Sequence, residues 1–100
     1  MARSSRLESG FQDKLRDELK KLFPGCMLFK MDQIQGIPDL LVLYKNKWAT
    51  LECKKSANAN RQANQPYYVD LMNNMSFSRF IYPENKTTVL AELQQFFNKA

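Results

Sequence analysis

Hydrophobic residues recur along this chain with two different periods, and the change from one to the other sketches the fold. Over residues 5–22, Leu7, Phe11, Leu15, Leu19 and Leu22 return at three- and four-residue steps, while Arg16, Asp17, Lys20 and Lys21 fall on the other side. That is the pattern of an amphipathic helix. Ser4 or Ser5 can cap it, with Glu8 three residues beyond Ser5 as in a capping box, and Pro24-Gly25 ends it. The segments that follow are shorter. Cys26–Lys30 reads as a strand, Asp32–Gly36 as a polar connection, and Leu40–Tyr44, apolar throughout, as a strand covered on both faces. Lys45-Asn46-Lys47 makes a hairpin turn and Trp48–Lys54 the returning strand.

Small polar residues make 56–64 a loop. Pro66 suits the first turn of a second helix that runs to about Asn73, with Val69 and Met72 inward. Phe77, Arg79 and Ile81 alternate with Ser78, Phe80 and Tyr82 in a further strand, and Lys86–Phe97 forms a third helix around Val89, Leu90, Leu93, Phe96 and Phe97. The order α-β-β-β-α-β-α predicts an α/β fold of the mixed α+β kind, a small mixed β-sheet flanked by helices.

Composition bounds what such a fold can do. A chain of 100 residues has room for one core, and 44% hydrophobic with 12% aromatic residues suits a folded domain over residues 1–100. The N-terminus has no apolar stretch of signal-peptide type, and the longest apolar run, Leu40–Tyr44, is too short to span a membrane. A cytoplasmic protein is expected, with Cys26 and Cys53 as reduced thiols. Fifteen Lys and Arg against ten Asp and Glu give a net charge of +5, which points to a polyanionic partner.

The absence of histidine narrows the chemistry. Ser-His-Asp and Cys-His catalysis within one chain are excluded, as are nucleases with a histidine base and an ordinary structural zinc site. Carboxylates, lysines and a hard cation such as Mg²⁺ or Mn²⁺ remain. Pro38-Asp39 opens the apolar strand and Glu52-Cys53-Lys54 closes the next one. Side chains alternate along a strand, so Glu52 and Lys54 share a face while Leu51 and Cys53 point to the other. Asp39 lies seven residues before Asn46 and Glu52 six after it, so the hairpin brings Asp39 beside Glu52 and Lys54. Two acids there repel unless a cation compensates. Asp39, Glu52 and the backbone carbonyl of Cys53 are the candidate metal ligands. A cation so held polarises a phosphate, and Lys54 orients water or neutralises charge on the phosphate. Read singly, Glu52-x-Lys54 is also the ordinary alternation of a solvated strand face.

These residues resemble the PD-(D/E)XK nuclease superfamily, with Pro38-Asp39 followed by Glu52-x-Lys54. Within it, Gly36-Ile-Pro-Asp39-Leu-Leu-Val-Leu and Gln65-x-x-Tyr68 are most similar to the compact VRR-NUC type, found alone in phages and fused to larger repair enzymes. The resemblance spans nearly the whole chain and implies a restriction-endonuclease-like core. It implies an acid on the first helix, Glu8 with Glu18 as competitor, and a glutamine after the Glu-x-Lys strand, Gln65 with Gln62 as competitor. Catalytic residues would then be Glu8, Asp39, Glu52, Lys54 and Gln65. Standalone members imply a homodimeric, Mg²⁺-dependent endonuclease that hydrolyses branched DNA such as four-way (Holliday) junctions. Arg6, Lys55 and Arg61 are the candidates for DNA phosphate contacts. A nicking or degradative nuclease and a non-catalytic DNA-binding module of the same fold are the alternatives. Trp48, Tyr67 and Tyr68 are expected to pack rather than stack on bases.

Overall fold

The computed structural model describes the backbone of residues 6–61 and 64–99, and side chains from residue 10 onward within those ranges. Three helices flank a four-stranded mixed sheet: α1 (Arg6–Leu22), β1 (Met27–Lys30), β2 (Leu40–Tyr44), β3 (Lys47–Cys53), α2 (Asn64–Met75), β4 (Ser78–Ile81) and α3 (Lys86–Asn98). The expected order of elements is the observed one. The strands lie in the order β1-β2-β3-β4. The first three are antiparallel neighbours, and β4 returns parallel to β3 after the α2 crossover. Among the described residues no helix is long and apolar enough to cross a membrane.

Period-two alternation divides the sheet into two unlike faces. Leu40, Val42, Ala49, Leu51, Cys53 and Ile81 point to one side and pack against Leu15 and Leu19 of α1, Phe23 just beyond it, and Val89, Leu90, Leu93 and Phe97 of α3. This is the dry core. Its far end is aromatic: the Phe23 ring lies 5.2 Å from Tyr44 and 5.1 Å from Phe97, in tilted and edge-on contacts that favour ring quadrupoles. The opposite face carries Thr50, Glu52 and Ser78 and is covered by α2, whose Val69 is buried. There the Thr50 and Ser78 hydroxyls bond at 2.7 Å.

Four expectations are corrected here. The inward stripe of α1 ends on Phe23, which is 1% exposed, and not on Leu22, which is 37% exposed. Phe23 lies four residues beyond Leu19 and continues its row, and its N–H reaches the Leu19 carbonyl at 2.9 Å. The β2 strand is not covered on both faces. Leu41 and Leu43 are only half-buried, because among the described residues α2 packs mainly over β3 and β4. The α2 helix starts at Asn64, two residues before Pro66, so the reading of 56–64 as one continuous loop ends one residue too late and Pro66 sits inside the first turn. The β2–β3 hairpin is closed by Lys45 and Asn46 alone, with Lys45 at φ 57° in the left-handed region such turns require.

Candidate active site

Strand register sets the site. Leu40 pairs with Leu51 and Leu41 with Thr50, and continuing that register by one step puts Asp39 opposite Glu52. One step further Pro38 would face Cys53, but proline has no N–H and cannot extend the ladder. The Asp39 carboxylate takes over: its Oδ2 accepts the Cys53 N–H at 2.9 Å. On its other side the Asp39 carbonyl accepts the Met31 N–H at 2.7 Å, so the residue is held from both neighbouring strands. Beyond Cys53, the Lys54 N–H continues onto β4 through the Ile81 carbonyl at 2.9 Å.

Glu52 is 3% exposed and Lys54 7%, so both charges sit inside the fold. A buried carboxylate is costly unless compensated. Gln65 and Lys54 are among the groups that compensate it. Gln65 Nε2 donates to Glu52 Oε2 at 2.9 Å, and the Lys54 ammonium stands 3.7 Å from the same oxygen. Lys54 Nζ in turn donates to Gln65 Oε1 at 2.8 Å. Only this amide orientation works, since the flipped one would set NH₂ against ammonium and oxygen against carboxylate. Gln65 is buried in the first turn of α2.

The start of α2 is tied to the Asp39 loop. Asn64 Nδ2 donates to the Gln35 carbonyl at 2.6 Å. Gly36 lies directly beneath that side chain at φ +90°, where any Cβ would overlap Asn64. This contact ties the start of α2, next to Gln65, to the loop that leads into Asp39, and the spacing of Gly36 and Asn64 does not announce it.

The remaining candidates divide clearly. Lys55 is exposed just beyond Lys54, and Arg61 is exposed with its guanidinium 3.8 Å from the Phe80 ring centre. Glu18 Oε1 holds Lys86 Nζ at 2.6 Å in a bridge between α1 and α3. Gln12, 4% exposed on α1, has an Nε2 without a hydrogen-bond partner among the described residues. The side chains of Arg6 and Glu8, and the whole of Gln62, lie outside the described residues. Tyr67 is 61% exposed and contacts Tyr68 edge-on at 5.1 Å, so it lies outside the core. Cys53 is fully buried. At Cys26, burial raises the thiol pKa, partly offset by the Lys20 charge.

The donor set can be tested against a hard cation. Asp39 and Glu52 supply two carboxylates, and the Cys53 carbonyl is a third hard oxygen. Among the described residues no group of three His, Cys, Asp or Glu comes together. One or two carboxylates completed by water and phosphate oxygens is the usual way Mg²⁺ is held, so the residues fit that ion. They do not suit zinc. Comparison with protein-family models, curated proteins and solved structures returned no match.

Proposed function

We propose that this chain is a divalent-cation-dependent DNA endonuclease of the PD-(D/E)XK, VRR-NUC-like type, acting in the cytoplasm on branched DNA such as four-way junctions. The observation that carries this reading is the buried Glu52–Gln65–Lys54 triangle with Asp39 across the strand. Scaffold residues seldom bury an ammonium and a carboxylate joined by an amide, because apolar residues of like volume are as stable or more so.

A bound Mg²⁺ or Mn²⁺, held by Asp39, Glu52 and the Cys53 carbonyl, would polarise the scissile phosphate and acidify water. The chain's own residues do the rest. Gln65 holds the Lys54 ammonium in place, so its remaining N–H groups can meet a phosphate oxygen without reorganising. Asp39 and Glu52 outnumber Lys54, which leaves the patch one negative charge to balance with a cation. Lys55 and Arg61 lie beyond it and carry the opposite sign, as a bound backbone requires.

Cutting both strands of a junction needs two such sites, and one 100-residue chain offers one. A homodimer supplies the second. The surface that favours it is edge strand β1, where, among the described residues, Met27 is 55% and Phe29 43% exposed beside the half-buried Leu43 and Leu41. Light scattering with and without junction DNA tests the dimer, and a strict monomer in both would contradict paired cutting. The nuclease itself is tested by comparing labelled four-way junction, flap, nicked and linear duplex with Mg²⁺. Cutting of branched DNA alone supports the full proposal. Equal cutting of linear duplex removes the branch selectivity and leaves a degradative or nicking nuclease.

A further inference from the structure

Two arginines of this fold stack on phenylalanines, and their surroundings differ. Arg79 lies 4.2 Å over Phe77. Its Nε meets Glu92 at 3.1 Å, its Nη1 donates to the Ser78 carbonyl at 2.9 Å, and Asn73 Oδ1 accepts from it as well. That charge is paired with a carboxylate at the surface of the fold. Arg61 lies closer to its ring, 3.8 Å over Phe80, and makes no ion pair among the described residues. Its guanidinium edge is exposed.

The position of Phe80 gives the second stack its meaning. Phe80 pairs with Glu52 in the parallel β3–β4 register, and Thr50–Ser78, two residues earlier on each strand, lies on the same face by the period of two. The Arg61 shelf therefore stands beside the buried acid. The strand beneath it is fixed: Asn85 Nδ2 donates to the Phe80 carbonyl at 3.0 Å, and its Oδ1 accepts the Tyr82 N–H at 2.9 Å. A guanidinium held close over an aromatic ring on an exposed residue still has N–H groups to offer, which suits bidentate contact to a phosphate.

We propose that Arg61 on Phe80 is a preformed phosphate-binding shelf, gripping the DNA backbone next to the phosphate that would be cut, with Phe80 as positioning residue. This rests on the nuclease reading of the same site and adds to it the group that holds the flanking strand. The test is the affinity of fluorescein-labelled four-way junction and matched duplex over a salt series, without divalent ions. Arg61→Ala is expected to weaken binding roughly tenfold and to reduce the salt slope by about one. Phe80→Leu is expected to weaken it about threefold with Arg61 present, Phe80→Trp to restore it, and Phe80→Leu to add nothing in the Arg61→Ala background. Arg79→Ala, the paired counterpart, is expected to leave affinity and slope unchanged. An unaltered slope in Arg61→Ala, or equal losses for Arg61→Ala and Arg79→Ala, overturns the shelf. Arg61 is exposed, so its variant decides the matter even where Phe80→Leu unfolds the edge strand. Wild type that binds neither DNA contradicts the nucleic-acid reading itself, a result distinct from failure of the shelf.

Discussion

Leu51 and Glu52 are adjacent in β3 and almost equally hidden, at 0% and 3% exposure. Leu51 faces α1 and α3 among aliphatic and aromatic side chains, where burial alone is favourable. Glu52 faces α2, where Gln65 and Lys54 come to its carboxylate. Burial on the first face holds the sheet together. On the second it costs free energy, and a site that must present two carboxylates and an ammonium to a phosphate is a reason to bear that cost.

The comparison can be broken most severely at Lys54. Lys54→Met leaves the Glu52 charge inside the fold without its ammonium and is expected to cost on the order of 3–5 kcal/mol in urea unfolding. Adding Glu52→Gln should recover most of that stability and none of the activity. If Lys54→Met is as stable as wild type, Glu52 is not a charged group in the folded protein. Leu51→Ala attacks the other face and should cost roughly 2–5 kcal/mol, with DNA affinity per folded molecule unchanged. A large loss of affinity in a folded Leu51→Ala protein would show that the faces are not independent.

Gly36→Ala comes next. It forces an unfavourable φ and pushes Asn64 aside, so a loss of about 1–2 kcal/mol is expected, together with slower DNA cutting as Gln65 shifts. Unchanged cutting would detach the Gly36–Asn64 contact from the site. Smallest is the thiol pattern. Burial raises the Cys26 pKa, so less of it is thiolate at mildly alkaline pH, and iodoacetamide should alkylate it more slowly than free cysteine. Cys53 should stay silent until the protein unfolds. Fast labelling of both would mean that the dry face opens.

Much of this was legible in the chain, because the two periods are strong. The stripe of α1, the alternation in β3 and the proximity of Asp39 to Glu52 all follow from spacing that the backbone cannot evade. Register was not legible, since turn length fixes it and Lys45-Asn46 lacks the glycine that marks such turns. Gln65 was placed before the helix because Asn64 and Pro66 both read as boundary residues, whereas Asn64 bonds to the distant Gln35 carbonyl. The Arg61–Phe80 stack joins a polar loop to an edge strand 19 residues on, and no periodicity encodes that.

The most direct measurement is cleavage of labelled four-way junction and matched linear duplex with Mg²⁺, by wild type and Glu52→Gln. The account predicts cutting of the junction by wild type and none by Glu52→Gln, which still folds and still binds DNA. Binding without cutting by wild type in both Mg²⁺ and Mn²⁺ would contradict it and leave Asp39 and Glu52 as structural acids of a binding module.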